Sequence, residues 1–114
     1  MTLEDLRAYG ADVDAGLARC MNNEAFYLRL VGMAKTEKNF DALYAALGEG
    51  DVEGAFKAAH ALKGVLGNLA ITPLFEPMSE LTELLRGKST GDDVDLGELP
   101  ATIRAAHEAF LALE

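Results

Sequence analysis

The residues that interrupt helices fall at only a few places in this chain, and nearly everything between them favours helix. Ala, Leu and Glu dominate and β-branched residues are sparse, which leaves an all-helical fold as the expectation. With 114 residues there is material for one domain, spanning 1–114, and one core. Thr2-Leu3-Glu4-Asp5 reads as a capping box opening a short helix that Gly10 ends. Asp12 or Asp14 starts a second short helix that runs to about Met21, and Asn22-Asn23 offers the next cap. From Glu24 to Leu47, Phe26, Leu30, Val31, Ala34, Phe40, Leu43, Tyr44 and Leu47 approximate one stripe and predict one long helix, stopped by Gly48-Glu49-Gly50.

Asp51 caps the next helix, which reaches about Ala70. Thr72-Pro73 reads as cap and first residue of another, with Pro77 inside its first turns. Gly87 to Asp93 is the one long loop, and Pro100 marks the start of the last helix, whose face is Ile103, Ala106, Phe110 and Leu113. Two short helices followed by four long ones with brief turns predict an antiparallel up-down four-helix bundle.

Charge narrows the function. Nineteen acids against ten Lys plus Arg give a net charge of −9. That excludes the phosphate neutralisation on which nucleic-acid affinity rests, and docking on anionic lipid. No apolar run approaches the roughly 20 residues a membrane span needs, and the acidic N-terminus has no signal-peptide core. Cys20 is the only cysteine, which fits a reducing, cytoplasmic setting and a small buried apolar residue.

Asp51 to Ala70 carries the chemistry. Ala55, Ala58, Ala59, Leu62, Val65, Leu66 and Leu69 form the apolar stripe of this helix, while Lys57, His60, Lys63, Gly64 and Gly67 share another face. Each glycine inside a helix costs about 0.5–1 kcal/mol relative to Ala. Two readings account for Gly64 and Gly67: close packing of a neighbouring helix, or clearance for something that approaches His60 from outside. Clearance fits better, because both lie on the histidine face rather than squarely on the leucine face. From Gly54 to Phe75 there is no acidic residue, whereas Lys57 and Lys63 are present. A local basic patch around one imidazole suits a transient phosphoryl group. Near neutral pH imidazole offers a free lone pair, and as a nucleophile it splits one transfer into two.

His60-Ala61-Leu62-Lys63-Gly64-Val65-Leu66-Gly67-Asn68-Leu69 resembles the signature of histidine-containing phosphotransfer (HPt) domains, the intermediate carriers of multistep phosphorelays. Asp12 to Arg19 followed by Phe26 to Leu30 is similar to the family's opening segment, so the resemblance spans nearly the whole chain. It implies a four-helix bundle with His60 exposed mid-helix as the phosphorylated residue. Lys63 would lie beside the phosphoryl group, and Gly64 and Gly67 would admit a response-regulator receiver domain bringing the aspartyl phosphate and its Mg²⁺. Ala70 departs from the family, which often has glycine there; being small, it is expected to have little effect. The polar residue that the next helix often directs at the ring is not clearly matched, Ser79 being one candidate.

The resulting expectation is a monomeric, cytoplasmic phosphocarrier without intrinsic cofactor or metal, and not an enzyme in its own right. His60 takes the phosphoryl group from one receiver aspartate and gives it to another, in a relay that includes a sensor or hybrid histidine kinase. Lys63 and Lys57 stabilise the charge, while Phe56 and Asn68 belong to the docking rim. Met1 and the tidy termini suggest a free-standing chain. The rival readings are an adaptor or dimerisation bundle that is never phosphorylated, and an input domain of a histidine kinase phosphorylated directly by an ATP-binding domain. There is no nucleotide-binding loop. His60 and His107 show no metal-ligand spacing, and His107 reads as a surface or half-buried residue.

Overall fold

The computed structural model describes residues 1–114 and contains seven helices and no strand. They are α1 (Leu3–Tyr9), α2 (Val13–Arg19), α3 (Glu24–Lys35), α4 (Asn39–Glu49), α5 (Val52–Asn68), α6 (Thr72–Leu85) and α7 (Leu99–Leu111). The caps follow the expected residues. Thr2 and Asp5 form a capping box, and Asp12, Asn23 and Asp51 each accept a backbone N–H in the first turn of α2, α3 and α5. α5 packs between α4 and α6, and α7 packs on α6. Tyr9 donates to the Ala106 carbonyl at 2.6 Å, and Tyr44 bonds His107 at 2.7 Å, tying α7 back to α1 and α4. The arrangement accords with an up-down four-helix bundle in which α3 and α4 together supply one member. Cys20 is buried.

Three expectations need correction. The helix predicted over 24–47 is two helices, broken at 36–38. Ala34 and Phe40, both buried, are six residues apart, which in an unbroken helix would put them on different faces. The break resets the phase. Thr36 and Glu37 donate back to the Met33 and Ala34 carbonyls in a tightened last turn, and the Glu37 carboxylate accepts from the Asn39 side chain. The second correction is at α6, which starts at Thr72 itself with Pro73 second; Ile71 is the cap and makes no side-chain capping bond. The reason lies in how α5 ends. The Ala70 N–H bonds the Gly67 carbonyl and the Ile71 N–H bonds that of Leu66, a Schellman turn with Ile71 and Leu66 both buried.

That turn requires Ala70 at φ 58°, in the left-handed region. The property that matters at this position is therefore backbone conformation rather than side-chain size, and alanine occupies it at a steric cost that glycine escapes. Third, His107 is buried, neither at the surface nor half-buried. Its ring stacks on Phe40 with centroids 3.7 Å apart. His107 stands one turn from both Ile103 and Phe110, so the apolar face of α7 carries it inward.

Candidate functional site

α5 turns its alanines and leucines inward: Ala55, Ala58, Ala59, Leu62 and Leu66 are all buried. His60 is left on the outer face, exposed, and neither ring nitrogen has a hydrogen-bond partner in the chain. It opens onto a shallow depression also lined by Lys63, Gly64, Gly67, Asn68, Arg19 and Phe75. Four of the residues that the sequence groups with His60 thus meet it there. Phe56 stands one turn before His60 with the ring centroids 5.7 Å apart, outside the depression but beside the histidine. Lys57 is exposed and takes no part in lining the depression.

The two glycines separate. A Cβ on Gly64 would meet nothing within 4 Å, so this position opens onto free space next to His60. A Cβ on Gly67 would stand 2.8 Å from Cε1 of Phe75. Gly67 therefore also serves the packing of α6 against α5, whereas Gly64 faces open space only.

The strip that is free of acids in sequence is not free of them in space. Glu83 of α6 places its carboxylate 3.6 Å from Nζ of Lys63. Arg86 clamps the same carboxylate through two hydrogen bonds of 3.2 and 3.1 Å, and its guanidinium lies 5.3 Å from the Phe56 ring centroid. The hydrogen bonds from Arg86 hold the Glu83 carboxyl below its usual range, with the charges of Arg86 and Lys63 adding to the effect. Ser79, the sequence candidate for a polar neighbour on α6, is half-buried and does not line the depression.

Arg19 also reaches the site from outside the motif. Its Nη1 donates to the Gly67 carbonyl at 2.6 Å and to that of Asn68 at 3.4 Å, so a cation from α2 caps the negative end of α5. No local pattern marks this contact, since the partners are 48 and 49 residues apart. Nor does a local pattern mark Glu83, which comes to Lys63 from α6 through the packing of the two helices.

On the other side of Gly64 lies an apolar groove between α3 and α5, lined by Leu30, Met33, Ala34, Val65 and Leu69 and shared with Gly64 and Asn68. Met33 is 61% exposed and Phe26 39%. Thr36 and Glu37 close the far end of this groove, so it is an apolar strip with a polar edge.

An exposed, unpartnered imidazole in the middle of a bundle helix, with a lysine one turn on, defines a histidine-bearing helical module. Residues 32–112 match the Hpt domain family, and the chain belongs to it. Members are phosphocarrier modules of two-component signalling that lack a catalytic domain of their own and work with receiver domains and histidine kinases. The match covers α4 to α7 and the end of α3; the similarity of Asp12 to Leu30 to the family's opening segment lies outside it. Neither the curated proteins nor the solved structures compared with the chain match it. No helix is long and apolar enough to cross a membrane.

Proposed function

We propose that the chain is a relay intermediate: His60 accepts a phosphoryl group from the aspartyl phosphate of one receiver domain and passes it to the aspartate of another. The observation that carries this reading is the exposed ring of His60, free of any hydrogen bond, beside Lys63 and the open space at Gly64. In the first step a ring-nitrogen lone pair attacks phosphorus, the N–P bond forms, and the P–O bond breaks with its electron pair returning to the aspartate carboxylate. The other ring nitrogen keeps its proton, so no base is needed. The second step runs in reverse on a different aspartate. Lys63 offsets charge on the phosphoryl oxygens, and Lys57 adds to the field from farther away. The receiver supplies Mg²⁺, and this chain contributes no cofactor of its own.

The receiver seats against the apolar groove of Leu30, Met33 and Val65, enters over Gly64, and meets Phe56 and Asn68 at the border, an apolar patch with a polar rim. The working form is a cytoplasmic monomer. Mixing with a phosphorylated receiver should add one acid-labile, base-stable phosphate to the wild-type chain and none to His60→Gln. A chain that binds the receiver and is never labelled would be an adaptor instead. Labelling only by a kinase core with ATP would make it an input domain.

A further inference from the structure

Lys63 lines the depression with His60 one turn away on the same helix, yet it already faces a carboxylate, Glu83, at 3.6 Å. That carboxylate does not hang freely. Arg86 fixes it with two hydrogen bonds, one of them to the same Oε1 that faces Lys63, and Arg86 in turn rests over Phe56, whose ring neighbours His60. The acid is thereby held at Lys63 by a support that ends beside the histidine itself. We propose that Glu83 is a positioning residue that competes with the phosphoryl group for Lys63, so that phosphohistidine at His60 is kept labile and its phosphoryl group is readily surrendered.

When His60 carries the phosphoryl group, the Lys63 ammonium can turn to it only by leaving Glu83. Part of the stabilisation that Lys63 would give to phosphohistidine is therefore spent on breaking an existing ion pair. Both pair members are partly exposed, so the effect is modest. An exposed pair of this kind corresponds to about 1.5- to 5-fold in an equilibrium or a lifetime. The inference rests on phosphorylation at His60 but not on the direction of flow. Discharge itself breaks the N–P bond and forms a P–O bond to the accepting carboxylate or water, the electron pair staying on the ring nitrogen.

The test compares wild type, Glu83→Gln, Lys63→Ala and the double variant. Each is labelled on the histidine with phosphoramidate, a small N–P donor, and followed by ³¹P NMR; each is then equilibrated with a phosphorylated receiver domain. Glu83→Gln is expected to lengthen the phosphohistidine half-life and to shift the phosphoryl equilibrium toward His60, both by about 1.5- to 5-fold. In the Lys63→Ala background the same substitution should do neither. An unchanged half-life and equilibrium in Glu83→Gln, or an equal change in both backgrounds, overturns the proposal. Failure of the receiver to exchange phosphate with a wild-type chain that phosphoramidate labels would remove the relay reading and leave the half-life comparison to judge the role of Glu83.

Discussion

Replacing Gly64 and Gly67 in turn by Ala should move stability in opposite directions, although both sit in the same helix and on the same face. At Gly64 an added methyl meets nothing within 4 Å, so only helix propensity changes. The gain is about 0.5–1 kcal/mol, which for a domain of this size raises Tm by roughly 2–5 °C. At Gly67 the methyl would stand 2.8 Å from Cε1 and 3.1 Å from Cδ1 of Phe75, and the half-buried ring must move. Overpacking of that kind costs about 1–3 kcal/mol, which outweighs the propensity gain and leaves a net loss of about 1 kcal/mol. Glutamine at position 64 extends the contrast to function. It keeps most of the propensity gain, but its side chain projects over the space next to His60, so Tm should rise while transfer from a phosphorylated receiver slows. Thermal unfolding and phosphotransfer measured on the same preparations decide it. A destabilised Gly64→Ala, a stabilised Gly67→Ala, or unimpaired transfer by Gly64→Gln would each refute the division between clearance and packing.

Lys63→Ala should shorten the phosphohistidine lifetime or slow transfer with little change in Tm; if neither moves, the lysine is only a solvated side chain. Ala70→Val should destabilise the chain, because a β-branched side chain is strained further than alanine at a φ of 58°, and an unchanged midpoint in urea would contradict the Schellman geometry. His107 predicts a pH effect. Burial pushes its value down from the ordinary 6.5, helped by Arg104 and opposed by the Lys35 backbone, Asp41 and Glu108. The unfolded chain then binds the extra proton, so this stability is present above about pH 6.5 and is lost as pH falls below it. Urea titrations at pH 7 and pH 5 should show a smaller loss in His107→Phe than in wild type, and equal losses would exclude His107 as the source.

Most of the fold is legible because the caps are local. Thr2, Asp12, Asn23 and Asp51 each bond a backbone group three residues on, and such short-range chemistry is written in adjacent letters. The break at 36–38 is less visible, since Thr36 and Glu37 are not strong breakers; only the six-residue step from Ala34 to Phe40 betrays it. At the site, the grouping of His60, Lys63 and Gly64 follows from helical spacing alone. Arg19 and Glu83 do not, because they arrive from α2 and α6 across the bundle, and their contacts depend on how the helices are set against one another. The contact of Gly67 with Phe75 is hidden for the same reason: spacing gives the face of a residue but not the neighbour that covers it. His107 shows the converse, a polar residue carried inward by the face it occupies and accommodated by Phe40 and Tyr44.

The most direct test of the central claim is a chase between two receiver domains. One carries labelled aspartyl phosphate, the other none, and this chain is added in substoichiometric amount. Label should reach the second receiver only when the chain is present, pass through an acid-labile adduct on His60, and stop altogether with His60→Gln. Transfer that persists without His60, or label that accumulates on another residue of the chain, would contradict the account.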